Sequence, residues 1–362
     1  MSILIFIIVL SVLIIVHEFG HFATAKSLGV RVERFAVGFG PKLFSRKLNE
    51  TEFAVCLIPL GGYVKMAGDE RSECKGSPYE YYAHPVGHRA LIVLLGPVVN
   101  YLLAYLCFCV VFLIGYPTLA PKIGEVLLNY PAQTAGLVAG DTIRQIDAEK
   151  IQSWEEAQKY IATSEKSRLE FTVVRNEKEI KLTVTPTVQI LKNIFGQEEK
   201  VTVVGIKPKE EIILLKYGLA ESIVRSADRL VDITTMTYKA LYRIMTGAMS
   251  FKDSMTGPVG IFYIIKQAAA MGFSYLLYIV AVISASLAIF NLLPLPVLDG
   301  GHLFLLGIEK VRGRPLPIKI DEVVNRVGFS LIICLAVFVF YSDFVRFGIF
   351  DRLIDLWHKI GL

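Results

Sequence analysis

ILIFIIVLSVLIIVHEFGHFATA, residues 3–25, decides how the rest of the chain is read. From Ile3 to Val16 almost every residue is Ile, Leu, Val or Phe. The run has about the 20 residues that a membrane-spanning helix needs. It then ends in His17-Glu18-Phe19-Gly20-His21. Residues four apart share a helix face, so His17 and His21 present two imidazoles to one zinc ion. Glu18 stands beside them, where a carboxylate can take a proton from a water that the metal activates. Ionisable groups are costly at membrane depth and mark function there by default. The bland alternative is a helix end whose His and Glu face headgroups.

Working outward, the composition agrees with a membrane setting. The 362 residues are 54% hydrophobic and 20% charged, with mean hydropathy +0.53. That is too apolar for an ordinary soluble protein and implies several spans beside a soluble part. The net charge of +5 is modest, and no basic, aromatic-interleaved patch points to nucleic acid. Cys107, Cys109 and Cys334 lie in apolar runs, where cysteine acts as a small hydrophobe. Cys56 and Cys74 lack zinc-knuckle spacing. Ala23-Thr24-Ala25 has the form of a signal-peptide cleavage site, but no Lys or Arg precedes the apolar run. A retained first span is therefore expected.

Four spans are expected, at about residues 3–25, 90–115, 273–298 and 327–347. Basic residues gather between spans one and two, from Lys26 to Lys75, and between spans three and four, from Lys310 to Arg326. The positive-inside rule puts both loops in the cytoplasm, and both termini and the long central segment outside. The zinc motif closes span one, so it lies toward the cytoplasmic leaflet.

Between the first two spans, residues 34–64 carry apolar runs broken by glycines, as in Phe35-Ala36-Val37-Gly38-Phe39-Gly40-Pro41. They read as a β-hairpin with turns near Asn49-Glu50 and Gly61-Gly62. Two placements are open: dipping into the membrane under cover of protein, or resting on the cytoplasmic surface. Residues 120–208 change character and read as a compact, mixed β domain. Its expected elements include a helix from Trp154 to Thr163 capped by Ser153, and a hairpin around Arg175-Asn176-Glu177. Residues 212–258 follow as amphipathic surface helices or a plain linker helix.

Two histidines do not complete a catalytic zinc site, which takes three protein ligands and an open position. Asp299, in Asn291-Leu292-Leu293-Pro294-Leu295-Pro296-Val297-Leu298-Asp299-Gly300-Gly301, closes span three on the side where the zinc motif closes span one. His302, three residues on, is the rival. The prolines and glycines there break the helix and could expose backbone to a peptide. His84, His88 and His358 read as surface residues.

With those motifs together, the chain resembles the intramembrane site-2 proteases, and most closely the bacterial RseP type that cuts an anti-sigma factor in envelope stress. Gly96-Pro97-Val98-Val99-Asn100 at the start of span two also fits the resemblance, which covers essentially the whole chain. It implies a polytopic α-helical membrane protein with four transmembrane helices, a membrane-associated β-hairpin and an extracytoplasmic PDZ-like α+β domain. The domains would be residues 1–115 and 273–362 as the two parts of the membrane core, 120–208 as the PDZ-like domain and 212–258 as surface helices. It implies one Zn2+ per chain on His17, His21 and Asp299, with Glu18 as catalytic base. Asn291 and Asn100 would hold substrate backbone, and the hairpin near Gly38 and Gly40 would pair with an extended substrate.

The implied setting is the bacterial inner membrane. The implied partners are the lipid bilayer, a single-pass transmembrane substrate such as an anti-sigma factor, and a peptide carboxyl terminus at the PDZ-like domain. The better-known members carry two tandem PDZ domains, whereas this chain has room for one. Three rival readings differ from the main one. A processor of signal-peptide remnants or peptide pheromones would share the chemistry. A non-catalytic PDZ scaffold would close its structural zinc with a fourth protein ligand. A metal transporter would call for an inverted repeat, and none is apparent.

Overall fold

A computed structural model describes residues 2–192, 198–250 and 256–348. The described chain divides into two units, one of residues 1–108, 226–239 and 250–362, the other of residues 109–225 and 240–249. The expected end of the membrane core, residues 349–362, lies outside the described residues, as does His358.

Apolar helices build the first unit. They are α1 (Ser2–Ser27), α2 (Val86–Ile114, whose last residues pass into the second unit), α6 (Pro258–Met271), α7 (Phe273–Asn291), α8 (Asp299–Arg312) and α9 (Ile318–Arg346). Among the described residues, α1, α2, α7 and residues 326–346 of α9 are long and apolar enough to cross a membrane. Buried positions of α1 recur at Val9, Leu13, His17, Gly20, His21 and Ala25. Every third or fourth residue thus faces inward, and the two histidines ride that stripe. Ala25 packs with Ile92 and Phe22, whereas Val9 and Leu13 pack with Leu103. Helices α1 and α2 therefore run antiparallel.

Span three ends earlier than expected. Helix α7 stops at Asn291, because Pro294 and Pro296 cannot continue it, and Asp299 instead opens α8. The sequence reading also missed α6, too short to register as a span, and α8, which reads as loop. Asp343, buried in α9, accepts hydrogen bonds from the Gly257 and Gly260 backbone N–H groups at 3.1 and 3.0 Å. That carboxylate caps α6, which has no side-chain N-cap of its own.

The hairpin is present as β1 (Val32–Leu48) and β2 (Thr51–Met66), turning at Asn49, whose φ is 52°. Gly61-Gly62 is no turn. It lies inside β2, in register with Val37 at Gly62. The first part of β1 pairs with residues 62–66, and the last part with residues 51–56. Arg34 to Val37 also run beside Glu52 to Val55, with both registers ascending. Residues 58–66 are thereby left as an outer strand. Glu52 ties the sheet together, accepting from Lys42 Nζ at 2.5 Å and Arg34 Nε at 2.8 Å. These two cations hold its carboxyl down at about 2, well below the usual 4.5.

In the second unit β5 (Thr142–Ile146), β6 (Glu149–Lys150), β7 (Leu169–Arg175) and β8 (Lys178–Val184) form a sheet in the order β6-β5-β7-β8. Helix α4 (Trp154–Thr163) is capped as expected, Ser153 Oγ accepting from Glu156 N–H at 3.1 Å. Trp154, Ala157 and Ile161 turn inward onto Ile143, Ile146, Leu169 and Phe171. Smaller pairs join β3 (Tyr116–Leu119) to β12 (Ile212–Leu215), β4 (Ile123–Val126) to β11 (Ile206–Pro208), and β9 (Thr187–Lys192) to β10 (Glu198–Val203). Helix α3 (Pro131–Thr134) is a single short turn with Pro131 at its start. Residues 212–215, expected to open an amphipathic helix, are instead strand β12, and the amphipathic helix is α5 (Leu219–Met245). Residues 251–255 of the expected surface helices lie outside the described residues.

Candidate metal centre

Three side chains from two distant parts of the sequence meet in the first unit. His17 Nε2 lies 3.2 Å from His21 Nε2 and 3.2 Å from Asp299 Oδ2. His21 Nε2 lies 3.6 Å from Asp299 Oδ1. His17, His21 and Asp299 form a grouping of metal-ligating type among the described residues. His302 is outside it, although it lines the adjoining cavity.

The proton positions at this cluster follow from the partners. His21 Nδ1 is 2.9 Å from the Ile92 carbonyl oxygen, which can only accept. Nδ1 therefore carries the proton, and Nε2 turns a lone pair toward His17 and Asp299. Asn291 Nδ2 stands 3.4 Å from His17 Nε2. An amide N–H only donates, so that nitrogen also offers a lone pair. Three donor atoms facing one point make a site that suits a cation. Tetrahedral zinc with bonds of about 2.0–2.1 Å would set its donors about 3.3 Å apart, which the observed separations match.

Two glycines make the approach of α2 possible. A Cβ on Gly20 would lie 2.3 Å from the Leu95 carbonyl oxygen, and one on Gly96 would lie 2.2 Å from His21 Nε2. Gly20 lets the helices close, and Gly96 gives the His21 ring its room. Gly300 and Gly301 serve α8 in the same way. Added Cβ atoms there would come within 2.3 Å of Leu292 and Leu293 and 2.1 Å of the Leu295 oxygen. These glycines are helical, and their task is to fold α8 back on the Leu292–Leu298 connection rather than to break a helix.

Glu18 borders a cavity of about 260 Å³, shared with His21, Asp299, His302, Asp69 and Arg71. Residue Gly62 of β2 passes directly behind it. A Cβ there would sit 3.1 Å from Glu18 Cγ and 2.9 Å from Ile14 Cγ2. The wall of the cavity is pinned by ion pairs. Arg89 Nη2 donates to Glu309 Oε1 at 2.6 Å and Arg71 Nη2 to Glu309 Oε2 at 3.0 Å. Both guanidinium groups lie over the Tyr82 ring, and Arg71 also donates to the Leu316 carbonyl. Burial holds the Asp69 carboxyl above its usual range, against the pull of the Met66 N–H and Lys65.

The remaining sequence candidates are dispersed. Asn291 is half-buried beside His17. Asn100 is fully buried, with neither amide atom hydrogen-bonded among the described residues. Gly38 and Gly40 do not line the cavity. Both have φ of 88°, and a Cβ on Gly38 would lie 2.5 Å from the Ile58 carbonyl oxygen, so they serve the bend of the hairpin. His84 is half-buried against the exposed His88, with ring centroids 5.8 Å apart. What sequence reasoning missed is the close-contact role of Gly62, Gly96, Gly300 and Gly301, since a glycine's neighbours cannot be read from its position.

Comparison with known proteins gives concordant matches. The model of peptidase family M50 matches residues 5–335. The zinc metalloprotease RasP of Geobacillus kaustophilus is 31% identical over 427 residues, covering 96% of this chain and 98% of that one. The regulator of sigma-E protease RseP of Escherichia coli is 30% identical over 447 residues, covering 94% and 98%. Both alignments are longer than this chain, so both relatives carry inserted sequence. A PDZ domain of an SdrC-like protein from Listeria monocytogenes aligns with 24% of this chain and 84% of its own, at 22% identity and TM-score 0.20, a likeness too slight to bear on the fold.

Proposed function

The chain belongs to peptidase family M50 and is a zinc metalloprotease, and from that premise we propose that it cuts membrane proteins within their transmembrane segments. The observation that carries this is the donor triangle of His17, His21 and Asp299, whose two histidines ride a helix long and apolar enough to cross a membrane.

These residues fit zinc, which when bound supplies an acidified water and polarises the scissile carbonyl. The chain's own groups do the rest. His17 and His21 present Nε2, with the His21 ring locked by Ile92. The Glu18 carboxylate accepts the proton of the attacking water and later delivers it to the leaving amide nitrogen. Asn291 Nδ2, beside His17, is placed to donate to a substrate carbonyl. A substrate helix hides its carbonyls in internal hydrogen bonds and must unwind before attack. Residues 58–66, the outer strand passing Glu18 at Gly62, are the edge on which an unwound segment would pair. Phe39, Leu43, Phe44 and Leu57 are exposed on the same hairpin, which suits a membrane-associated position.

By the positive-inside rule, the basic loops between spans favour a metal centre toward the cytoplasmic leaflet, with residues 120–208 outside as a PDZ-like domain. A cavity of about 560 Å³ runs there between Trp154, Gln158 and Ile161 of α4 and residues 201–206. It suits a peptide carboxyl terminus added beside the strand. The substrate class is then a single-pass membrane protein of anti-sigma-factor type, in the bacterial inner membrane.

The test pairs zinc analysis with cleavage of a model transmembrane helix, in the native chain and in Glu18→Gln. Stoichiometric zinc in both, with cleavage in the native chain alone, is expected. Cleavage by Glu18→Gln at the native rate would refute the proposal.

A further inference from the structure

Of the two ring histidines, one is anchored and the other is not. His21 gives its Nδ1 proton to Ile92. His17 Nδ1 is buried and has no hydrogen-bond partner among the described residues. A metal-ligating histidine almost always donates its second ring N–H to a carboxylate, a carbonyl or a water, which fixes the tautomer and the ring plane. With a lone pair at Nε2, His17 carries that proton at Nδ1, and an unpaired buried N–H is costly.

The structure holds a complementary orphan. Asn100 is 0% exposed, and neither its Oδ1 nor its Nδ2 has a partner among the described residues. Its place follows from the antiparallel packing. His21 sits against Gly96. One turn further along α2 is Asn100, and one turn back along α1 is His17. The next turns meet again, where Leu13 and Leu103 share a cluster. Asn100 is thus bracketed at the depth of His17. Its backbone is fixed there too, the Ser284 hydroxyl of α7 donating to the Asn100 carbonyl at 2.8 Å.

We propose that Asn100 is a positioning residue for His17, its amide oxygen taking the Nδ1 proton of the imidazole through one ordered water. The water accepts from Nδ1 and donates to Oδ1, satisfying two buried groups at once. Among the described residues no direct hydrogen bond joins them. The role implied by family resemblance, holding substrate backbone, sits poorly with complete burial, because substrate would reach the amide only if α2 left its neighbours. The half-buried Asn291 has no such barrier.

The inference rests on the metalloprotease reading, and the experiment separates the two. The full-length protein and its Asn100→Leu, Asn100→Ser and Asn100→Asp variants are purified in detergent. Each is titrated with zinc against a chelator, loaded with Co2+ for its visible spectrum, and assayed for kcat and KM on a model transmembrane helix. Leu keeps the volume and removes the acceptor, Ser is too short to reach, and Asp keeps an oxygen in place. Expected for Leu and Ser is a 10- to 100-fold loss of zinc affinity, an altered Co2+ spectrum and a lower kcat at unchanged KM, with Asp close to native. Native metal affinity and spectrum in both Leu and Ser would overturn the inference, and a rise in KM alone would assign Asn100 to substrate. An Asp variant as impaired as Leu would overturn it as well. A native chain that binds no zinc would instead overturn the metalloprotease reading itself.

Discussion

Replacing Gly96 by Ala tests how tightly α2 defines the metal centre. The added methyl would sit 2.2 Å from His21 Nε2 and 2.3 Å from Cε1. Ordinary contact begins near 3.4 Å, so the ring would have to retreat by about 1.2 Å. It is not free to do so, because Nδ1 is bonded to Ile92 at 2.9 Å on the same helix. Either that bond is lost or the Nε2 lone pair leaves the donor triangle, and a zinc–nitrogen bond of about 2.0–2.1 Å does not survive such a shift. Losing the orienting bond alone costs 10- to 100-fold in affinity, so losing the donor should cost at least about 100-fold, or about 2.7 kcal/mol. Zinc competition with a chromophoric chelator reads this directly. Thermal unfolding at fixed zinc should show the same energy as lost metal stabilisation. Gly87→Ala is the control, since a methyl there on α2 meets nothing within 4 Å. Native zinc affinity in Gly96→Ala would refute the reasoning.

Gly62→Ala should leave zinc content unchanged but lower kcat by about 10- to 100-fold, because its methyl would lie 3.1 Å from Glu18 Cγ and shift the base; an unchanged kcat would detach Gly62 from Glu18. Glu309→Leu strips two guanidinium groups, those of Arg89 and Arg71, of their shared carboxylate. Breaking such a buried pair costs about 3–5 kcal/mol, so the melting temperature in detergent should fall clearly, and an unmoved one would show the cluster to be energetically idle. Glu52 predicts a pH response of the hairpin. Its carboxyl stands at about 2 in the fold against an ordinary 4.5, so its ion pairs contribute fully above about pH 4.5 and are lost as the pH falls toward 2. Hydrogen exchange of β1 and β2 should therefore quicken on acidification in the native chain, and Glu52→Gln should remove that dependence.

What the sequence disclosed was whatever depends on near neighbours. The helix from Trp154 to Thr163, with Ser153 as its cap, was legible because cap and helix are adjacent. The pairing of His17 with His21 was legible for the same reason; Asp299 was picked out as closing span three, whereas that span stops at Asn291 and Asp299 reaches the histidines as the first residue of α8. Strand β12 was not legible, since Ile212-Ile213-Leu214-Leu215 suits helix or strand alike and its partner β3 lies far back in the chain. Gly61-Gly62 was read as a turn, the usual meaning of the pair. Here Gly61, with φ of 118°, lies against the Phe39 ring, and Gly62 admits Glu18. Both meanings depend on segments the local sequence does not name.

Because Asp299 opens α8 rather than sitting beside the histidines in sequence, the donor set is assembled across almost the whole chain. Ribosomes add about 5–20 residues per second, so roughly 15–55 s separate the arrival of His21 from that of Asp299. For that interval the nascent chain has two donors and Glu18 but no third ligand. A fragment released early, at any point before residue 299, is a membrane protein without a metal-closing carboxylate. Until residue 299 has been made, the growing chain therefore lacks the full donor triangle.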